Sequence, residues 1–448
     1  NKLIWPGAII QYNNKEYPVQ FLSSNTPVPD NILIGNSINN LEFELASNIR
    51  KITRPEKPTI AILQGHQETD KIHMADFFFG LQDNYQVEFM QIDSQVNAFS
   101  DKLDGMSKRV NRYDALIVAG PETMVNDKER LIIDQFLMNG GKILWMLDAL
   151  KIGMDSLQGA NEGLALAVSN ENGLYEMLFE YGVRLNRTLV VDFQGEPIQL
   201  DFGPKGNQRN MVWKSNYYAP LVLTQANAHP ITSNLDPIRF EFAGSLDSVN
   251  STPEVRKIPL LHSSDLSKEM KAPVRISMDI YGFNQEYFAT GNKPKQMMAM
   301  ILEGKFPSAF KDILGESLRN SPDFAFQDKS VDTKMIVISD RDVVENKVDY
   351  RSGKGIPQYL GFVPELNRVA YGNKKFLLNC MNYLLDDQAL ITVRSRAIEL
   401  RTLNKGKVAA YRSSIKVINT VIPIILVLIL GVVQLLIRKK RWAHQDVK

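Results

Sequence analysis

The chain has 448 residues, 44% hydrophobic and 23% charged, and its 52 basic and 50 acidic side chains leave a net charge of +2. Those are globular proportions, and the near-neutral balance gives no electrostatic reason to expect nucleic acid or an acidic polymer as partner. A single cysteine, Cys380, excludes internal disulfides and cysteine-ligated zinc sites.

From the start of the chain, residues 8–12 and 15–21 flank Asn13-Asn14 and read as a β-hairpin. Within 39–53, Leu41, Leu45, Ile49 and Ile52 recur at helical spacing. Pro55 and Pro58 then break the pattern, which makes residues 1–57 the end of an N-terminal domain.

Strands and helices alternate beyond this boundary. Residues 59–63 form a short apolar strand running into Gln64-Gly-His66. A helix is predicted over 70–84, capped by Asp70, with Met74, Phe77, Phe78 and Leu81 on one face. Strands follow at 86–92 and 114–119, the second leading into Gly120-Pro-Glu-Thr123. The amphipathic helix 127–138 turns Leu131, Ile132, Phe136 and Leu137 inward and stops at Asn139-Gly-Gly141. Strand 142–147 comes next. Continuous apolar strands between amphipathic helices predict an α/β fold with a parallel sheet covered on both faces.

Residues 153–172 are a Gly/Ser/Asn-rich loop, and 174–191 repeat the helix–turn–strand pattern. Short strands at 220–224, 239–243, 258–261 and 296–302, among many turn residues, mark a β-rich insertion over about 193–330. The apolar strand 334–340, ending at Asp340, and the helix 373–385 complete an α/β domain spanning 58–387.

Ligands of a doubly wound sheet bind at the strand ends, which makes His66, Glu122, Asp148 and Asp340 the ligand-binding candidates. A nucleophile elbow needs Ser or Cys on a sharp turn after a strand. Here Asp148-Ala-Leu-Lys151 follows instead, and Cys380 falls inside a helix, where it reads as a small buried hydrophobe. There is no P-loop and no Gly-x-Gly-x-x-Gly, so the sequence gives the chain no means of using ATP itself and calls for no cofactor. His66, Glu68, Asp70 and His73 cluster without metal-ligand spacing and read as a loop and helix start. Asp148 and Asp340 read as caps of the elements that follow. Trp213, Tyr217 and Tyr218 are candidate ligand contacts for a carbohydrate or peptide receptor, with hairpin packing the plainer reading.

Residues 388–416 form a basic amphipathic segment in which Arg394, Arg396, Arg401, Lys405, Lys407 and Arg412 alternate with aliphatic side chains. Residues 417–437 carry no charge, long enough to cross a bilayer core of roughly 30 Å as a helix. Pro423 and Gly431 are compatible with a transmembrane helix. Arg438-Lys-Lys-Arg441 follows and, by the positive-inside tendency, places the tail 438–448 in the cytoplasm and the body in the bacterial periplasm. Arg394, Arg396, Arg401, Arg412, Arg438, Lys439, Lys440 and Arg441 are candidates for docking on a membrane partner or on headgroups, against the plainer reading of a solvated linker. A body outside the membrane needs an export signal, which predicts a further segment before Asn1.

Ile62-Leu-Gln-Gly-His66, Tyr113-Asp-Ala-Leu-Ile-Val-Ala-Gly-Pro-Glu-Thr123 and the run from Ile133 to Asp148 resemble the GldG family, the gliding-motility auxiliary component of an ABC transporter. Val337-Ile-Ser-Asp340, the run from Phe376 to Leu385 and the terminal anchor add to the likeness. The resemblance implies a class I glutamine-amidotransferase-like (flavodoxin-like) sheet without amidotransferase chemistry. It also implies a non-enzymatic extracytoplasmic subunit, with an ABC permease and a cytoplasmic ATPase as partners. The rival expectation is a membrane-tethered hydrolase or amidotransferase relative using His66, Glu122 or Asp148 for acid–base work.

Overall fold

A computed structural model describes residues 7–22, 30–54, 56–102, 109–153, 164–205, 208–224, 229–233, 235–250, 252–290, 295–321, 324–385, 408 and 410–442. The chain divides into two compact units, Asn1–Ala397 and Ile398–Lys448.

The first unit opens with the antiparallel hairpin Gly7–Tyr12/Lys15–Gln20. Its turn residues Asn13 and Asn14 both have positive φ, 45° and 60°, the backbone that a two-residue hairpin turn demands and that asparagine tolerates. The helix Asp30–Thr53 follows and starts earlier than its apolar spacing indicates.

A nine-stranded sheet organises the rest of the unit. Five strands form its parallel part, in the order Gln86–Met90, Thr59–Leu63, Ala115–Ala119, Lys142–Met146, Thr333–Ile338. Met297–Gly304 then adds antiparallel to Thr333–Ile338, and Val255–His262, Ser245–Ser248 and Val183–Asn186 extend that side antiparallel. The expected parallel sheet is therefore a mixed one. Three of the four antiparallel strands, Ser245–Ser248, Val255–His262 and Met297–Gly304, come from the β-rich stretch, and a strand's apolar pattern does not fix the direction in which it pairs.

Side-chain alternation loads both faces. Ala61, Leu63, Leu116, Val118, Ile143 and Trp145 point to one core, with Leu131, Ile132 and Phe136 of the helix Asp127–Met138. Ile60, Ile62, Ile117, Leu144 and Met146 point to the other, with Phe77 and Leu81 of Ala75–Gln82 and Phe376, Cys380 and Leu384 of Asn373–Leu384. Cys380 is fully buried, as its helix position predicts, and burial pushes its thiol well above the ordinary range.

Not every expected strand joins this sheet. Thr188–Asp192 pairs with Ser267–Lys271 in a separate ribbon. Gly195–Lys205 and Gln208–Val222 form a long hairpin where only a short strand was expected near 220.

In the second unit, Arg412–Trp442 is one continuous 31-residue helix, long and apolar enough to cross a membrane, with its apolar side chains exposed. It contains the whole apolar run expected at 417–437, with Pro423 inside it. Arg412, Arg438, Lys439, Lys440 and Arg441 lie on its two ends and are exposed. Arg394, Arg396 and Arg401 lie outside the described residues.

Candidate functional site

Two loops meet where the parallel strand order reverses, between Thr59–Leu63 and Ala115–Ala119. The amides of Glu122 and Thr123 donate to the His66 carbonyl at 2.9 and 3.1 Å, tying the loops together. The His66 ring sits between two carboxylates, Nδ1 3.2 Å from Glu68 Oε1 and Nε2 2.9 Å from Glu129 Oε2. Glu129 is itself fixed in the first helical turn, where the Asn126 side chain accepts from its amide at 3.0 Å. The Glu68 hydrogen bond leads in raising the His66 pKa, and Glu129 adds to it against the opposing effect of burial. With a carboxylate at each ring nitrogen, His66 pins the first strand-end loop to the helix Asp127–Met138.

The second centre is Arg341. Its side chain crosses Gly120, whose φ is +66°, and a Cβ there would overlap Arg341 Cδ and lie 2.7 Å from its Cβ. Only glycine suits that backbone and that approach. The guanidinium pairs with Glu122 through Nη1. Its Nε lies 3.0 Å from Asp148 Oδ2 and 3.7 Å from Glu345 Oε1. The Arg341 amide donates to Asp148 Oδ1 at 2.8 Å.

Asp340 is fully enclosed beside it, accepting from the amides of Glu241 and Asp342, each at 2.7 Å. Burial, with Asp148 adding, pushes the Asp340 carboxyl well above the usual range. Asp148 is pushed up to about 6, burial outweighing the pull of Arg341. Arg341 stays charged: burial opposes this, but Asp148 and the neighbouring acids override it. A second arginine, Arg239, extends the network through Glu196 (2.6 Å) and Glu241.

The four expected residues thus all lie at strand ends, but in two clamps. Glu122 and Asp148 meet on Arg341, Asp340 is enclosed next to them, and His66 is held apart by Glu68 and Glu129. The element that follows Asp148 is the short strand Leu150–Lys151 and not a helix, and the Asp148 carboxylate meets Arg341. Asp340 closes only the short turn Asp342–Val344. Asp70 caps nothing with its side chain: its carbonyl accepts from His73 and Met74, and the helix starts at Ala75. His73 turns to the Asn346 carbonyl at 3.3 Å. Among the described residues no group of three His, Cys, Asp or Glu side chains is set to hold a metal.

Tyr217 and Tyr218 are core residues packed on Phe193, Phe288 and Phe242, while Trp213 is 47% exposed on the hairpin. The residue that sequence reasoning missed is Arg341. The charged run Asp340-Arg-Asp342 directly after an apolar strand is the signal that marks it.

Fold and site together define an α/β protein with a mixed central sheet, strand ends closed by internal ion pairs, and, among the described residues, one helix long and apolar enough to cross a membrane. The chain belongs to the auxiliary family described as "ABC-type uncharacterized transport system", whose pattern matches residues 57–380. That membership gives it an accessory role in association with an ABC transporter. No curated protein matches the chain. The solved "mmIFT52 N-terminal domain" is similar over 74% of this chain and 98% of its own, at 13% identity and a TM-score of 0.38, a level that carries no argument.

Proposed function

We propose that this chain is a non-enzymatic, extracytoplasmic accessory subunit of an ABC-type complex that supports gliding motility or surface export. Its body binds a partner protein or substrate, with the helix Arg412–Trp442 spanning the membrane and the tail inside. An ABC permease and a cytoplasmic ATPase are its partners, and the GldG family is the branch to which its strand-end residues point. Support for the membrane placement comes from the uncharged run and the Arg438–Arg441 cluster that follows it.

The sheet belongs, on this reading, to the flavodoxin-like class that includes the amidotransferases. Numbered along the chain, its parallel strands run 2-1-3-4-5, the order of that class.

One observation supports the non-catalytic half of the reading. Arg341 consumes the Glu122 and Asp148 carboxylates, and Glu68 and Glu129 consume both nitrogens of His66. General acid–base work requires a group within hydrogen-bond reach of substrate, and each of these groups already has an internal partner. Transport by the assembled complex carrying Glu122→Gln tests this. Of the two carboxylates on Arg341 that were candidates, Glu122 is the more solvent-accessible. Unchanged transport is expected, whereas a loss of two orders of magnitude with the complex intact would establish the hydrolase reading.

A further inference from the structure

A cavity of about 730 Å³, within the size range of ligand sites, lies between the helix Tyr175–Tyr181 and the loop 308–313 and shares none of the four strand-end candidates. Its third wall is Val183–Asn186, the outermost strand of the nine-stranded sheet, which among the described residues pairs only with Ser245–Ser248. Arg184, Leu185 and Asn186 all line it. Successive side chains of a strand point to opposite faces, so a cavity touched by three in succession lies along the strand's edge. An open edge presents backbone donors and acceptors to an incoming strand.

The side chains around this edge select what can enter. Phe179 and Ile313 are 42% and 74% exposed, over a floor that includes Met177, Leu185 and Phe310. The basic residues lining the cavity are already matched: Arg130 with Asp127, Arg184 with Asp247, Arg187 with Glu171 and Lys311 with Asp312. Glu176 and Glu180 have no ion-pair partner among the described residues. They stand one helical turn apart on the exposed side of the helix, where like charges repel.

We propose that this edge binds an extended, basic and apolar peptide segment of another protein. The segment adds as a further strand beside Val183–Asn186. Its main chain takes up the free edge groups, its lysine or arginine side chains meet Glu176 and Glu180, and its alternate apolar side chains settle against Phe179 and Ile313. Edge addition supplies affinity through the main chain and specificity through alternate side chains. The inference rests on the geometry of this edge and not on the transport reading.

The test uses the full-length chain in detergent micelles and a fluorescein-labelled hexapeptide of alternating lysine and leucine, read by fluorescence anisotropy at low salt. Saturable binding is expected, weakened about tenfold by Glu176→Gln/Glu180→Gln, since two exposed ion pairs are together worth about that factor. Binding should disappear for a peptide N-methylated at alternate residues, which keeps the charges but cannot pair along an edge. Three results would each overturn the proposal: no saturable binding, equal binding of an alternating glutamate–leucine peptide, or wild-type affinity in the double variant with unchanged thermal unfolding. Self-association through this edge that is insensitive to the two substitutions would likewise overturn it, making a second copy the occupant.

Discussion

Replacing Arg341 by alanine takes away the cation that Glu122, Asp148 and Glu345 share. The Asp148 contact is the costly one, because the two side chains are only 22% and 16% exposed at 3.0 Å. Removing one partner of such a pair costs about 3–5 kcal/mol. Glu122 and Glu345 are more open, at 39% and 30%, and add at most about 1 kcal/mol each. Protonation sets a ceiling on the Asp148 part. With its carboxyl at about 6, neutralising it at pH 7.5 costs roughly 2 kcal/mol, at about 1.4 kcal/mol per pH unit.

The expected loss is therefore about 3 kcal/mol at pH 7.5. A carboxyl whose folded pKa is raised contributes most favourably below its unfolded value and loses that contribution as pH rises through the folded one. Without Arg341 the Asp148 carboxyl rises further, so acidification helps the variant more than the wild type and the deficit narrows to about 1 kcal/mol at pH 5. Pulse proteolysis in urea, on the full chain in detergent at both pH values, measures both numbers. A deficit below 1 kcal/mol at pH 7.5, or one that grows on acidification, would refute the reasoning.

Three further expectations share this assay or a close relative. Gly120→Ala should cost about 2 kcal/mol or more from strain at positive φ and the clash with Arg341. Combined with Arg341→Ala it should cost at least 1 kcal/mol less than the sum, because the worst clash is with the arginine's outer methylene; strict additivity would show that the two do not touch. His66→Gln should cost about 3 kcal/mol near pH 6 by leaving Glu68 and Glu129 without a cation. Since the folded pKa of His66 is raised, its contribution is complete below about 6.5 and is lost as pH rises through the folded value. The difference from wild type should shrink toward pH 9, and a constant difference would count against a charged His66. Asp134→Ala strips an acceptor from Tyr181, Ser308 and the Ala309 amide, at 2.8, 2.7 and 2.9 Å. It should cost about 3 kcal/mol and speed hydrogen exchange at Ala309, which is measurable by mass spectrometry. Unchanged exchange there would mean that Asp134 does not hold the loop 308–313.

Much of the fold is visible in the sequence because its elements are long, apolar and punctuated. Thr59–Leu63, Ala115–Ala119 and Lys142–Met146 are nearly continuous apolar runs, and Asn139-Gly-Gly141 marks the end of a helix whose inward face is regular. The antiparallel side of the sheet was not legible. Met297–Gly304 is as apolar as its parallel neighbours, and only pairing partners reveal a strand's direction. The start of Ala75–Gln82 was missed for a local reason: Asp70 offers its carbonyl, not its side chain, to the turn that precedes the helix.

At the site, the residue types and strand-end positions were readable, but their roles were not. His66, Glu122, Asp148 and Asp340 look like acids and bases in search of a substrate until Arg341, Glu68 and Glu129 are placed among them. Arg341 lies past the end of Thr333–Ile338, 193 residues beyond Asp148, and spacing cannot disclose such a partner. Nor does the sequence show that Val183–Asn186 is a sheet edge, since Glu176 and Glu180 look like any solvated helix face.

The measurement that bears most directly on the accessory-subunit account is purification of the tagged full-length chain from native membranes in mild detergent, with subunits identified and counted by mass spectrometry. The account predicts that an ABC permease and a nucleotide-binding ATPase co-elute with the chain at a fixed ratio, and that the ATP hydrolysis of this complex needs the ATPase's own P-loop lysine. A chain that elutes alone at full yield, with neither subunit present, would contradict it.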